Sequence, residues 1–371
     1  MKVKEIIKIL EDWAPLHYQE DYDNSGLQVG NPDMEVTGIS ICLEITDEIL
    51  EDAIQSNYNL IISHHPLIFR GLKKINYLMP ENNVLIKAIK HDICIYSCHT
   101  NLDNIRSGVN QKLAGMLELE DIEILRPFSG RLFKITVFCP DIRLSDGSYV
   151  PENVRNAMFE AGAGKIGEYD SCSFNVEGTG TFKPLETANP FIGKTGITEY
   201  QKEIRVETIV PIHQLNRVVD AMIDAHPYEE VAYDIYPLAN EFPLAGSGII
   251  GNLVKPMAIT EFLALVKERF RLKMIRHNCF HEKIIKRVAL CGGAGSFLIH
   301  DAVSKSADIF LTGDLKYHDF TSALGKIVLA DIGHFESEQF SSELIYDYLK
   351  ENISTFAALK IKQNFNPINY F

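Results

Sequence analysis

Four short apolar runs in this chain lead into histidine or aspartate, and that repeated junction restricts the possible folds more than any other feature. YNLIIS (58–63) runs into His64 and His65, and ICIYS (93–97) into a segment holding His99 and Asp103. DIFLT (308–312) leads to Asp314 and His318, and KIVLADIG (326–333) to His334 and Glu338. Apolar runs of this length predict strands buried on both faces, and helical patterns between them predict a largely parallel sheet. Those patterns are present: Ile49, Leu50, Ala53 and Ile54 precede the first run, and residues 83–90 precede the second. The expected fold class is α/β.

The same style covers both ends of the chain. Ile6, Ile7, Leu10 and Trp13 are spaced for a helix that stops before Pro15, and ISICLE (39–44) reads as a strand. VALCGG (288–293) opens the last third as a strand, and a closing helix carries Phe340, Leu344, Ile345, Tyr348 and Leu349 on one side. Residues 127–245 have a different rhythm. LFKITVFCP (132–140), VRNAMFEAGAG (154–164) and SFNVEGTGTF (173–182) form one strand–helix–strand unit. EIRVETIVPI (203–212), LNRVVDAMIDAHP (215–227) and VAYDIYPL (231–238) form a second, and two such units make a ferredoxin-like α+β fold. RPFSGR and PLAGSG flank the region as boundary signals. The expectation is a discontinuous α/β domain, residues 1–126 and 246–371, around a ferredoxin-like insert at 127–245.

Parallel sheets take ligands beyond the carboxyl ends of their strands, so the histidines and carboxylates stand where a site belongs. His334 and Glu338 are four apart and share a helix face, so they can meet one cation. Successive side chains alternate along a strand, so His64 and His65 converge only if the turn re-aims them, or else each serves its own ion. With Asp103 as an acidic bridge, the set His64, His65, Asp103, His334 and Glu338 supplies mixed nitrogen and oxygen ligands. Such ligands suit zinc, manganese or iron better than calcium or magnesium. Five ligands exceed the needs of one tetrahedral ion, so two divalent metal ions are expected, about 3.5–4 Å apart with Asp103 or water between them. His99 and His318 are candidates for proton transfer, and Asp314 for orienting a ligand.

Other features have bland readings. His91, His213, His277, His281 and His300 read as capping or hydrogen-bonding residues. GGAGS (292–296) lacks both the full dinucleotide pattern and a P-loop lysine, so it reads as a tight strand-to-helix turn. Arg70 and Lys73 follow the histidine pair and could meet a phosphate. The seven cysteines are odd in number and lie mostly in apolar runs, with no CxxC pair, so neither a disulfide framework nor a thiolate zinc site is expected. No GxSxG elbow is present. A net charge of −14 argues against nucleic acid as a partner. No run approaches the roughly 18 apolar residues of a membrane span, and the amphipathic N-terminus is unlike a signal peptide, so a cytoplasmic location is expected.

The motifs DNSGLQVG (23–30), SHHPLIF (63–69), SCHTNLD (97–103), CGGAGS (291–296), LTGDLKYHD (311–319) and DIGHFESE (331–338) resemble those of the Ngg-interacting-factor-three-like family. Its members carry the name type 2 GTP cyclohydrolase I homologue. The resemblance spans nearly the whole chain, and the segment with AHPYEE (225–230) looks like the PII-like insert of longer bacterial members. It implies a dinuclear metal site at His64, His65, Asp103, His334 and Glu338, and a toroidal homohexamer. Function then divides in two. One reading is a metal-dependent hydrolase acting on an unidentified small-molecule substrate, a nucleotide or another phosphorylated compound, the metals activating water. The other is a non-enzymatic metal-binding regulatory or scaffold protein. Fold-level analogy does not decide between them, whereas spare ionisable groups beside the ligands favour catalysis.

Overall fold

The apolar runs form strands because they have no face to offer to water. In the computed structural model, which describes residues 1–77, 81–353, 359–362 and 366–370, the strands Ile39–Cys42, Leu60–Ser63, Cys94–Ser97, Ile309–Thr312 and Val328–Asp331 are buried at every residue. Strands of that kind need cover on both faces, which the alternating helices supply. The chain divides into two compact units, one of Met1–Pro127 with Pro243–Phe371 and one of Phe128–Phe242.

The first unit holds two sheets. One has the order Gly26–Val29, Cys94–Ser97, Leu60–Ser63, Ile39–Cys42, Leu359–Ile361. Its last four strands are parallel, while Gly26–Val29 runs antiparallel at the edge. The other has the order Arg276–His277, Val328–Asp331, Ile309–Thr312, Ile284–Leu290, Glu241–Ala258, Leu119–Ser129. Three central strands are parallel, and Glu241–Ala258 joins them antiparallel.

The helices are sided as their spacing predicts. Val3–Trp13 buries Val3, Ile6 and Leu10, and Trp13 stacks on Tyr348 at 4.1 Å between ring centroids. Tyr348 belongs to the closing helix Ser341–Asn352, which buries Ile345 and Leu349. Each such aliphatic side chain contributes about 1.5–3 kcal/mol relative to exposure. The boundary signal PLAGSG stands where the two units divide and lies inside the strand Glu241–Ala258. A Cβ at Gly251 would lie 2.9 Å from the Glu120 carbonyl, so the glycine allows a close backbone approach of the kind that marks glycine inside strands.

The second unit is a β–α–β–β–α–β chain. Leu132–Pro140, Val150–Glu160, Ser173–Phe182, Glu199–Pro211, Leu215–Ala225 and Tyr233–Leu238 follow one another. The sheet is antiparallel with the second, third, first and fourth strands side by side. Its core includes Ile135, Val137, Val154, Met158, Val206 and Met222. Among the described residues of the whole chain, no helix is long and apolar enough to cross a membrane.

Candidate metal centre

The histidine pair is aimed by the end of its own strand. Leu60–Ser63 lies between Ile39–Cys42 and Cys94–Ser97, and the pairing continues past it: His64 N–H donates to Cys42 O at 3.1 Å and His65 N–H to Leu43 O at 2.8 Å. The Ser63 hydroxyl folds forward onto His65 O at 2.7 Å. This turn removes the strict alternation, and both imidazoles reach one carboxylate. His65 Nε2 lies 2.9 Å from Glu338 Oε2, and His64 Nε2 lies 3.9 Å from Glu338 Oε1.

Glu338 arrives from the other sheet. After Val328–Asp331 the chain reverses at Gly333 (φ +85°), where a side chain would collide with Glu336, and enters the short helix His334–Glu338. One helical turn then brings His334 Nε2 to 3.0 Å from Glu338 Oε2. The CGGAGS turn packs directly on this carboxylate, since a Cβ at Gly293 would collide with Glu338 Oε1. Gly293 N–H is held by Ser337 Oγ at 2.9 Å. Asp103 closes the group at the end of the helix Thr100–Asp103, its Oδ1 3.6 Å from His64 Nε2. Glu338 is a carboxylate that the histidines share: His64 faces Oε1 at 3.9 Å, and His65 and His334 lie 2.9 and 3.0 Å from Oε2. Asp103 faces His64 from the end of another strand's loop.

Two of the three histidines have Nδ1 held by a hydrogen bond, and the third faces a carboxylate at ion-pair distance. His64 Nδ1 lies 2.7 Å from Cys98 O, His334 Nδ1 lies 2.7 Å from Asp314 Oδ2, and His65 Nδ1 lies 4.0 Å from Glu44 Oε2. Partners on Nδ1 fix ring orientation and leave Nε2 for the site, the usual arrangement around a metal. Asp314 takes a left-handed backbone (φ +57°), which aspartate tolerates better than most residues.

The electrostatics of the group favour a cation. Burial disfavours the Glu338 charge, but hydrogen bonds with His334 and His65 outweigh it and hold the carboxyl well below its usual range. Burial likewise opposes charge on His65, yet Glu338 and Glu44 push its imidazole up to about 10. The Glu338 hydrogen bond, against burial and with help from Asp314, raises His334 to about 9. Burial pushes the Asp103 carboxyl up. Two atoms in the middle, His64 Nε2 and Asp103 Oδ1, are buried with no hydrogen-bond partner. Donor atoms of His64, His65 and Glu338 all lie within 4.8 Å of one another. Orphaned buried donors, imidazole–carboxylate chemistry and a glycine-lined seat for Glu338 fit a divalent cation.

The remaining expected residues divide. His99 stands beside the group, its ring 5.4 Å from that of His64 and 5.5 Å from that of His65. His318 is exposed with its ring against Tyr317, and among the described residues no hydrogen bond ties it to the group. Arg70 and Lys73 are exposed on the segment that follows the histidine pair.

Residues 1–367 match the model of the family described as Duf34/NIF3 (NGG1p interacting factor 3). The chain belongs to that family. A protein of Halalkalibacterium halodurans named GTP cyclohydrolase 1 type 2 homolog is 42% identical over 89% of this chain and 87% of its own. One of Staphylococcus epidermidis with the same name is 34% identical over the full length of both. The crystal structure of a Bacillus cereus protein related to NIF3 superimposes with a TM-score of 0.84 at 36% identity, covering 100% of this chain and 99% of that one.

Two residues of this Duf34/NIF3 chain escaped the reading of strand ends. The side chain of Asp23 is buried and its carboxylate lies 2.7 Å from His99 Nδ1, and Glu44 faces His65. Asp23 opens the family motif DNSGLQVG, so the motif was a signal for it. Glu44 lies just past Ile39–Cys42, where a strand-end search extended to every strand would have reached it.

Proposed function

We propose that the first unit binds two divalent transition-metal ions through His64, His65, Asp103, His334 and Glu338, and that the loaded centre hydrolyses a small molecule. The carrying observation is the pair of orphaned buried atoms, His64 Nε2 and Asp103 Oδ1, beside a carboxylate that His65 and His334 share. Two sides of Glu338, each facing its own partners, support two ions rather than one. Zinc, manganese and iron are the metals this donor set suits. When bound, such ions act as Lewis acids and make water nucleophilic near neutral pH.

The protein's own contribution is orientation and proton handling. Asp23 accepts from His99 Nδ1–H, which leaves His99 Nε2 as the nitrogen able to take a proton beside the ligand histidines. Asp314 and Glu44 orient His334 and His65 rather than exchange protons. Substrate chemistry is read as a nucleotide or another phosphorylated small molecule, because Arg70 and Lys73 follow the histidine pair and because relatives bear a GTP cyclohydrolase-type name. His318 retains a proton-transfer role only if a substrate reaches its exposed position.

The second unit we read as the ferredoxin-like, PII-like insert of longer bacterial members, on its β–α–β–β–α–β order. A homohexamer accompanies this reading through the family resemblance, and a cytoplasmic location is proposed with it. The test is metal reconstitution followed by a screen of nucleotides, phosphoesters and cyclic amides. Turnover that depends on metal and on His99 supports the hydrolase. Metal binding without turnover of any of them makes the centre a structural or regulatory one.

A further inference from the structure

The second unit contains a cavity of about 470 Å³ that the metal centre does not use. Its walls include Phe182, Phe191 and Tyr228, the two phenylalanine rings lying 6.0 and 6.2 Å from the tyrosine ring. Glu203, only 9% exposed, also lines it. Among the described residues no cation pairs with Glu203; the one hydrogen bond to its carboxylate comes from the Tyr228 hydroxyl at 3.5 Å, the long end of the range. The carboxylate rests on Gly180, where any side chain would collide with it, so the neighbouring strand leaves room for the acid.

The wall is built, not incidental. Pro184, Ala188 and Phe191 come from the segment between Ser173–Phe182 and Glu199–Pro211. That segment is tied down by Asn189 N–H to Glu229 at 2.9 Å and by Gly196 N–H to Pro184 O at 2.8 Å. Tyr228 belongs to the AHPYEE motif and is set by its own N–H donating to His226 Nδ1 at 3.1 Å.

A buried carboxylate without a cation costs free energy unless something donates to it. Burial already pushes the Glu203 carboxyl up from its ordinary value. A quaternary ammonium would satisfy the aromatic walls but has no N–H for the carboxylate. A planar ring with two adjacent N–H donors satisfies both, stacking on the phenylalanines while its edge meets the two Glu203 oxygens. The cavity volume falls within the usual range for small-ligand sites. At the mouth, Lys183 stands with two exposed carboxylates, Glu229 and Glu230, a balance that disfavours a phosphate chain.

We propose that this cavity binds a bicyclic nitrogen heterocycle through a ring N–H and an adjacent amino group, the donor edge shared by guanine and pterin, with Glu203 as the acceptor. The ligand enters as a base or nucleoside rather than as a nucleotide.

The test is calorimetric titration of the full chain with guanosine and with pterin, the two arms distinguishing the sources of the shared edge. Saturable binding of either is expected. Inosine, which lacks the amino group, should bind about ten- to hundredfold more weakly than guanosine if guanosine is the ligand. GTP should bind less tightly than guanosine. Glu203→Gln should weaken the favoured probe by a similar factor while circular dichroism shows an unchanged fold. If that variant does not fold, Phe191→Ala, on the partly exposed wall, must weaken binding on its own. No saturable binding of either probe up to about 1 mM, equal binding of inosine and guanosine where guanosine is the tighter arm, or a folded variant of either kind with unchanged affinity overturns the proposal.

Discussion

Nδ1 of His99 lies 2.7 Å from Oδ1 of Asp23, and the second oxygen of the same carboxylate accepts from the Thr100 amide at 3.0 Å and from the Ser25 hydroxyl at 2.9 Å. Burial works against the Asp23 charge, but His99, by hydrogen bond and by charge, with Thr100 and Asn24, holds the carboxyl far below its ordinary value. An imidazole clamped on one nitrogen beside the candidate metal group is, on the proposed reading, placed for proton transfer, and neither His99 nor Asp23 is among the proposed ligands. His99→Ala is expected to keep its metal while turnover of the substrate found by screening falls about 10²–10⁴-fold. Asp23→Asn should reduce turnover and change the pH profile, again with metal content unchanged. Loss of metal in His99→Ala would move His99 into the ligand set.

In the proposed centre, Asp314 orients the ligand His334 without being a ligand itself. Its substitution by asparagine removes the charge that orients His334, and metal affinity should fall about 10–100-fold. Competition with a chromogenic chelator measures this. Unchanged affinity would reduce the 2.7 Å contact to an incidental surface pair.

The second unit should lose stability in mild acid. His226 Nδ1 accepts from the Tyr228 amide, so its proton sits on Nε2, which donates to Phe138 O at 3.1 Å. Burial holds this imidazole below its ordinary value of 6.5. The unfolded chain therefore takes up the proton first, so the stabilisation is complete above pH 6.5 and declines as pH falls from there toward the folded value. Hydrogen exchange at the Tyr228 amide, corrected for intrinsic rate, should show protection falling below that pH in the wild type. In His226→Asn the dependence should flatten. Constant protection down to pH 5 would contradict the sign.

Excision of Phe128–Phe242 should leave the metal centre intact. Gly246 packs against the Arg126 carbonyl so closely that a Cβ there would collide with it, and Gly246 N–H donates to Asn104 O at 2.7 Å. The two ends thus lie side by side within the first unit, and a short Gly/Ser linker spans them. Metal loss across several linker lengths would show that the first unit depends on the second.

Much of this was legible in the chain because burial leaves a simple trace. A strand hidden on both faces must be apolar throughout, so Leu60–Ser63 and Cys94–Ser97 stood out, and the polar residues after them marked the site. His334 and Glu338 were paired by helical spacing alone. What the sequence did not disclose depended on contacts between distant segments. Asp23 precedes the edge strand Gly26–Val29 rather than following a buried one, and only the folded chain brings it to His99. The strand Glu241–Ala258 was hidden by its glycines and prolines, which mark the boundary between the units but do not show that the chain there is also a strand, in which Gly251 serves a close backbone approach. That Glu338 is shared by His64, His65 and His334 depends on how the end of their strand aims the histidine pair, a detail without a sequence signature.

The most direct test is the metal content of gently purified and reconstituted protein, measured per chain by elemental analysis, for wild type and for Glu338→Ala and Asp103→Ala. Wild type should hold about two transition-metal ions per chain, Glu338→Ala should hold close to none because both sides of the group lose their shared carboxylate, and Asp103→Ala should lose metal from the His64 side. A wild-type value that stays near one after reconstitution, or full retention of metal in Glu338→Ala, would contradict the two-ion centre.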